Sequence, residues 1–541
     1  MRGESTPAAA APAVLHGGPL PPPPVGTLGE ALSRATRTGH GVVLVDGEGR
    51  SSRRSYTELY DDALRTLAGL AAAGAAPGAR VILRTADAAD LLTAFWACVL
   101  GGLAPLPVPP GTDTAGLDEA AAAVGESWLV SDDPPLRLPG DAPVAGLRPL
   151  GPVRALRRDR RGRPVEVRPG DPAVLTLTSG SAGRPKAVPL THRQVLGRAH
   201  ATALARGLDE STRSLNWMPL DHVSGIVMFH VRDVLLGCHQ VHADTGWVRA
   251  DPLRWLDLAD AERTDTTWGP NRAFALVVDR LDEEPRRSWD LSRLRYVMNG
   301  GEAVKERTAR RFVEALAPHG LPATAVHPGW GMPETASGVV DSVFRPADGP
   351  PRRHVPVGVP HSGVSVRVVG ADGRVLPVGA VGRLHVTGVP VADAYLEGGV
   401  RRPAPLSADG WLVTDDLAFV ADGELTVIGR ADGVIEVDGV PYHGHEIEDA
   451  VDQLPCVQPS FTVARDLAPD GAGHGRLAVF FRPRAGASAR EAEEAVRELL
   501  RGGFGADPVH VEALTEHELP RTATGKLRRS VLAARLPGAR R

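Results

Sequence analysis

The sequence predicts an α/β protein. It reads as a large N-terminal domain of doubly wound α/β subdomains, a β-barrel-like subdomain completing it, and a small α+β C-terminal domain. Three observations carry this reading. From Thr27 to Pro110, and again from Ala173 to Gly338, helical stretches alternate with short apolar runs, as in strands covered by helices. After Pro360 short strands follow one another through turns such as Ala371-Asp372-Gly373-Arg374 and Ala421-Asp422-Gly423-Glu424. Beyond Arg430 helices and strands alternate in a separate unit. A chain of 541 residues is also too long for one ordinary core.

Taken in order, residues 1–25 are rich in Ala and Pro, carry one Arg and lack a compact apolar run, so they read as a disordered leader. Helices are expected at Tyr56–Ala73 and Ala89–Leu100, with a strand at Arg80–Leu83 between them. Leu147 to Arg168, dense in Arg and Pro, reads as a surface connection. Val174–Leu177, Leu215–Met218 and Leu294–Met298 suit buried parallel strands, and Leu253–Arg263, Asn271–Leu281 and Val304–Leu316 suit helices. Strands follow at Val364–Val369, Gly382–Val386 and Leu425–Ile428. The C-terminal unit places helices at Glu446–Gln453, Ala489–Leu500 and Leu527–Arg535, with a strand at Leu477–Phe481. The expected division is thus a leader over 1–25, a large domain over 26–430 and a small domain over 431–541.

Composition excludes several classes. A net charge of −4 gives no nucleic-acid surface and no polybasic anchor. No run of about 18 apolar residues occurs, so no membrane association is expected. Cys98, Cys238 and Cys456 have no metal-ligand spacing, and three scattered cysteines suit a reducing cytoplasm. Only three of the 61 basic residues are lysines: Lys186, Lys305 and Lys526. Where arginine serves almost everywhere, a surviving lysine marks a place where a compact ammonium is wanted. Lys305 reads as a helix-surface residue.

The most informative segment runs Leu177-Thr178-Ser179-Gly180-Ser181-Ala182-Gly183-Arg184-Pro185-Lys186. A strand enters a loop of glycines and hydroxyls that ends on a lysine. Small residues let backbone N–H groups close around phosphate oxygens, and the lysine adds a point charge. The spacing is not that of a Walker A loop.

This segment resembles the phosphate loop of the adenylate-forming superfamily, which includes acyl-CoA synthetases, luciferases, nonribosomal peptide adenylation domains and fatty acyl-AMP ligases. Six further motifs follow in that superfamily's order: Pro219-Leu220-Asp221-His222, Asn299-Gly300-Gly301-Glu302, Gly329-Trp330-Gly331-Met332-Pro333-Glu334-Thr335, Thr414-Asp415-Asp416-Leu417, Gly429-Arg430-Ala431-Asp432 and Leu519-Pro520-Arg521-Thr522-Ala523-Thr524-Gly525-Lys526. The stretch Leu215 to His230, with Trp268-Gly269-Pro270-Asn271, is most similar to loading adenylation domains of hybrid polyketide–peptide assembly lines. It is also similar to fatty acyl-AMP ligases, whose insertion after the Glu334-type motif has no counterpart here.

The resemblance implies a two-step reaction. A small carboxylic acid attacks the α-phosphate of Mg·ATP, and a thiol then takes the acyl group from the adenylate. Thr178, Ser179, Gly180, Ser181, Gly183 and Lys186 would cradle phosphates. Gly300, Gly301, Glu302, Trp330, Gly331 and Met332 would surround the adenine, with Trp330 stacking on it. Asp416 would hold the ribose, Arg430 would support the ribose or a phosphate, and Glu334 would ligate Mg²⁺. Lys526 would swing in on a mobile small domain, with Asp432 as hinge, to neutralise the transition state. His222 would gate the acyl pocket, lined by Val223, Ser224, Gly225, Asn271, Arg272, Asn299 and Gly338. Arg272 stands where an apolar residue is expected and suits either the pocket or the surface. The acceptor thiol would belong to CoA or to the phosphopantetheine of a separate carrier protein, in specialised metabolism. An amine acceptor and an inactive adenylate-fold binding protein are the competing readings.

Overall fold

The structure is a computed structural model that describes residues 11–133, 137–138, 142–178, 186–284, 286–466, 477–506, 510–515, 518–519 and 532. Among the described residues the largest sheet has nine strands. Its centre is parallel: Val326–Met332, Tyr296–Gly300, Thr266–Gly269, Arg213–Asn216, His239–Ala243 and Gly41–Val45, in that order. Antiparallel strands finish both edges, Ser337–Asp341 with Val359–Pro360 at one and Ser51–Ser55 at the other. A second sheet is parallel throughout, in the order Ala104–Pro107, Arg80–Arg84, Ser127–Ser131 and Leu147–Gly151. The near-continuous apolar character of strands such as Gly41–Val45 follows from burial on both faces.

The helices over these sheets start where the sequence offers caps. Thr27 with Glu30, Ser55 with Glu58 and Thr191 with Gln194 each form a reciprocal capping box. The helix Ala88–Leu100 is buried along most of its length, with Phe95 and Trp96 fully enclosed. It sits in a core shared with Leu28, Leu32, Tyr56, Leu67 and Val227.

The β-rich part is an antiparallel five-stranded sheet: Val14–His16, Val364–Val369, Gly382–Gly388, Leu412–Ala421 and Glu424–Arg430. Past Arg430 come the hairpin Val434–Val437 and Val440–His443, the helices Gly444–Val451 and Ala489–Phe504, and a sheet of Val457–Asp466, Leu477–Pro483 and His510–Ala513. This part has its own apolar cluster of Ile447, Val451, Val479, Phe481 and Val496. The α/β class expected from sequence is the observed one.

Four local expectations are corrected. Residues 11–25 are no disordered leader: Val14–His16 pairs with Val364–Val369, and Ala13 is fully buried beneath the sheet. Leu147 to Arg168 is more than a connection, because Leu147–Gly151 joins the second sheet and Val153 and Leu156 enter the core. The strand holding Val174–Leu177 is antiparallel, paired with Lys186–Thr191 across a short loop. Lys305 does not lie on a helix surface. It is the N-cap residue of the helix Glu306–Leu316, and its ammonium reaches Asp449 and Asp452 beyond Arg430. The helix expected at Leu527–Arg535 falls outside the described residues except at Leu532, which is buried. Among the described residues no helix is long and apolar enough to cross a membrane.

Candidate active site

Two strand ends frame the phosphate-loop motif. Thr178 ends one strand and Lys186 begins the next, and the two pair directly across the hairpin. Ser179, Gly180, Ser181 and Gly183 lie outside the described residues. Lys186 Nζ is 3.1 Å from Glu397 Oε1 and 5.2 Å from the centroid of the Tyr395 ring. The cause is register: Ala187 pairs with Leu396, so Lys186 stands opposite the strand that presents Tyr395 and Glu397 on one face.

Tyr395 links this lysine to the candidate metal ligand. Its hydroxyl donates to Glu334 Oε1 at 2.9 Å. Glu334 sits on a one-turn 3₁₀ helix after the strand Val326–Met332, and its backbone is pinned on both sides. Thr335 Oγ1 accepts the Met332 N–H at 3.0 Å and donates to the Ser337 carbonyl at 2.7 Å. Glu334 O accepts the Ala392 N–H at 2.7 Å. The turn is tight enough to demand Gly331, where a Cβ would stand 2.1 Å from the Ser337 oxygen. Burial raises the Glu334 carboxyl above its ordinary pKa, and the Tyr395 hydrogen bond offsets part of that rise. Glu334 Oε2 is buried without a hydrogen-bond partner among the described residues. Such an oxygen is costly to leave alone, and a divalent cation is a partner that suits it. Glu334 therefore fits the Mg²⁺ expected from the sequence; bound there, the ion would neutralise phosphate charge.

Gly300 ends its strand beside Gly329, and Gly301 follows at φ 80°, a left-handed conformation that favours glycine. Trp330 packs in the core of the β-rich sheet, and its indole N–H donates to Asp416 Oδ2 at 2.8 Å. One oxygen of the candidate ribose ligand is thereby oriented by the candidate adenine platform. Burial also raises the Asp416 carboxyl, with the Trp330 hydrogen bond opposing it. Arg430 lies directly across the ladder from Asp416, yet its guanidinium engages Asp415 at 3.0 Å and Asp432 at 2.9 Å. The hinge candidate Asp432 is thus ion-paired to the strand that precedes it. Glu302 Oε1 accepts the Arg272 N–H at 2.8 Å and so anchors the start of the helix Asn271–Glu283.

Of the pocket candidates, Asn299 lies on the parallel strand Tyr296–Gly300 and Asn271 follows the parallel strand Thr266–Gly269. His222 Nδ1 accepts the Ser224 backbone N–H at 3.2 Å and stands 2.7 Å from Ser224 Oγ. Nδ1 is then an acceptor, which leaves the proton of the neutral ring on Nε2. Val223, Ser224 and Gly225 are buried at the head of a π-helix, Ser224–Val231. That wider turn is a common mark of functional segments. Asn299 is fully buried, and neither its amide nitrogen nor its oxygen has a partner among the described residues. Asn271 Oδ1 accepts the Lys305 N–H at 3.0 Å, and Gly338 lies on the strand Ser337–Asp341. Arg272 departs from the pocket reading: its guanidinium stacks on Phe461, 4.2 Å from the ring centroid, in the part of the chain beyond Arg430. Lys526 lies outside the described residues.

Residues 32–396 match the family model of the AMP-binding enzyme. The chain belongs to the AMP-binding enzyme family. Aspulvinone E synthetase of Aspergillus terreus is 31% identical over 531 residues, covering 92% of this chain and 56% of that protein. This AMP-binding enzyme thus spans little more than half the length of the curated relatives it matches first. Among solved structures, the McyG A-PCP complexed with phenylalanyl-adenylate superposes with a TM-score of 0.88 at 29% identity, over 96% of this chain and 84% of that one. The adenylation domain of a keto acid-selecting NRPS module, bound to keto acyl adenylate, superposes at 0.71 with 32% identity, over 93% of this chain and all of that one. The chain is an adenylating ligase with the adenylation-domain fold.

Tyr395 and Glu397 escaped the sequence reading. The available signal was their spacing of two on a short strand, in a chain with only five tyrosines.

Proposed function

We propose that this enzyme activates a 2-oxo carboxylic acid as its acyl adenylate and passes the acyl group to the phosphopantetheine thiol of a carrier protein in natural-product biosynthesis. The observation that carries the adenylation step is the buried Glu334 Oε2, without a hydrogen-bond partner among the described residues and coupled through Tyr395 to Lys186. Lys186 and the hydroxyls after Thr178 would hold the ATP phosphates. Trp330 and Asp416 would position the nucleoside, with Asp416 keeping one oxygen for the ribose. The acid carboxylate would attack the α-phosphorus as pyrophosphate leaves, and Lys526 would stabilise the charge gathering on the phosphoryl oxygens. A small domain beginning near Asp432 would then turn so that a thiol can attack the acyl carbon and release AMP.

The acid class follows from the pocket. An amino acid brings an ammonium that needs a buried carboxylate partner. The candidate lining offers His222, Ser224 and Asn299 but no carboxylate. The amide of Asn299, without a partner among the described residues, suits a neutral carbonyl next to the reacting carboxylate. A structural relative of 32% identity that holds a keto acyl adenylate supports the same class, and another that carries a carrier protein supports the acceptor.

Carboxylate-dependent exchange of pyrophosphate into ATP tests both parts, with matched 2-oxo, 2-amino, 2-hydroxy and unsubstituted acids. The 2-oxo acid should lead its 2-amino partner by at least about 10²-fold, the selectivity of a site built around one hydrogen-bonding group. Preference for the amino acid would overturn the acid class, and no exchange with any acid would overturn adenylation. Thioester formation on a phosphopantetheinylated carrier, compared with CoA and with amines, decides the acceptor.

A further inference from the structure

We propose a transition-metal site that joins the chain before the Arg430–Asp432 junction to the chain after it. His354, His445 and Glu446 would bind a divalent ion of the zinc class and tie the segment before Val359–Pro360 to the first turn of the helix Gly444–Val451. One ligand atom from each residue lies within 4.8 Å of the others. His354 Nε2 is 3.3 Å from Glu446 Oε1, and the His354 and His445 ring centroids are 5.8 Å apart. Two imidazoles and a carboxylate, with a fourth position left for water, form a donor set that zinc accepts.

The surroundings hold these donors in place. Glu446 Oε2 accepts the His443 N–H at 2.8 Å as part of a capping box, which leaves Oε1 to face His354. Orientation of a metal-binding carboxylate by a second hydrogen bond is a recurrent device. His443 stacks on His445 with the ring planes 22° apart, restricting the latter's rotation. His354 is followed by Val355 and Val357, both buried, which anchors the backbone on that side. Ligand atoms around tetrahedral zinc stand roughly 3.3 Å apart, so side-chain rotation must draw the present cluster inward. Arg353 also contacts Glu446 and satisfies the carboxylate without a metal. The ion would displace that guanidinium.

The placement gives the site a consequence. His354 precedes the Arg430–Asp432 junction and His445 and Glu446 follow it, so a bound ion fixes the two sides relative to each other. Metal binding itself stands independently of the adenylation reading. The test uses the full chain without a polyhistidine tag, stripped of metal by chelator and held in excess Mg²⁺ so that hard-cation sites are filled. Zn²⁺ is titrated against a chromophoric chelator, and Co²⁺ is added separately to read the visible absorption of a four-coordinate site. One Zn²⁺ per chain is expected, with at least 10-fold weaker binding in His354→Ala and in His445→Ala. Either variant counts only if its circular dichroism and cooperative thermal unfolding, measured without zinc, match the wild type; should His445→Ala fail that check, His354→Ala alone decides. Zinc should also slow hydrogen exchange across residues 444–451 in the wild type and not in His354→Ala. Equal zinc affinity in wild type and variants would overturn the site. Tight binding that leaves exchange in 444–451 unchanged would overturn the bridge.

Discussion

Lys305→Met removes the one lysine that joins the two parts of the chain among the described residues. Its Nζ lies 3.0 Å from Asp452 Oδ2 and 3.3 Å from Asp449 Oδ1. The first pair is half-buried, with side-chain exposures of 18% and 9%, whereas Asp449 is 41% exposed. Removing one partner of such a pair costs about 3 kcal/mol, and Asp452 keeps the hydrogen bond from Thr462 Oγ1 at 2.6 Å. The exposed pair adds less than about 1 kcal/mol because water screens it. The Arg272–Phe461 stack, worth about 1 kcal/mol, remains as a second tie. Opening of the C-terminal part should therefore become about 100-fold more frequent, since each 1.4 kcal/mol is a factor of ten. Hydrogen exchange measured by fragment should accelerate by that factor in Gly444–Val451 and Val457–Asp466, with the central parallel strands unchanged. Adding Asp452→Asn should restore part of the loss, because it removes a carboxylate that an ammonium no longer faces. Acceleration below about threefold would refute the clasp reasoning. Equal acceleration in every fragment would mean that Lys305 supports the whole fold.

Other outcomes follow from the same structure and motifs. Lys526→Ala should slow adenylation by about 10²–10⁴-fold with little change in ATP binding, read by pyrophosphate release; near-normal release would withdraw its catalytic assignment. Asp432→Pro should preserve pyrophosphate exchange and cut thioester formation by about 10²-fold or more, since proline fixes φ and constrains Ala431; parallel loss of both half-reactions would indicate misfolding instead. Acid should destabilise the fold through His230, whose pKa burial lowers to about 4. The folded value lies below the unfolded 6.5, so the stabilisation is complete above pH 6.5 and is lost progressively as pH falls toward 4. That loss reaches about 3 kcal/mol from this group, and chemical denaturation of His230→Gln should show a shallower decline over this window.

The reason His230 resists protonation is visible in its bonds. Trp96 Nε1–H donates to His230 Nε2 at 2.8 Å, and Nδ1–H donates to Gln240 Oε1 at 2.8 Å. Gln240 Oε1 also accepts from His242 Nε2–H at 2.6 Å, while its amide nitrogen donates to Tyr56, whose hydroxyl donates to the Cys238 carbonyl. A proton added at Nε2 would face the Trp96 donor. Nothing in the sequence announces this network, because its members lie on four segments that only the fold assembles. The helices were easier: Tyr56–Ala72 ends one residue short of the expected boundary, since its cap and apolar spacing are local properties. The strand around Val174–Leu177 was legible as a buried strand but not as an antiparallel one. Apolar composition reports burial, whereas strand direction is set by the partner. Here the partner strand begins at Lys186, too few residues after Thr178 for the crossover a parallel neighbour requires.

Within the site, the residues that carry ordered motifs were legible and their supports were not. Glu334 stood out in its motif, yet the hydroxyl that holds it comes from Tyr395, on a strand brought alongside by the pairing of Ala187 with Leu396. The scarcity of lysine is instructive in the same way. Lys186 faces Glu397 and Tyr395, and Lys305 is enclosed by Asp449 and Asp452. Both places demand a compact ammonium at a fixed point, for which a planar guanidinium is a poor substitute. One place belongs to the candidate phosphate site and the other to the docking of the C-terminal part. Scarcity therefore selects for burial and partner geometry, which catalysis and domain docking share. Only the partners, supplied by the fold, tell the two apart.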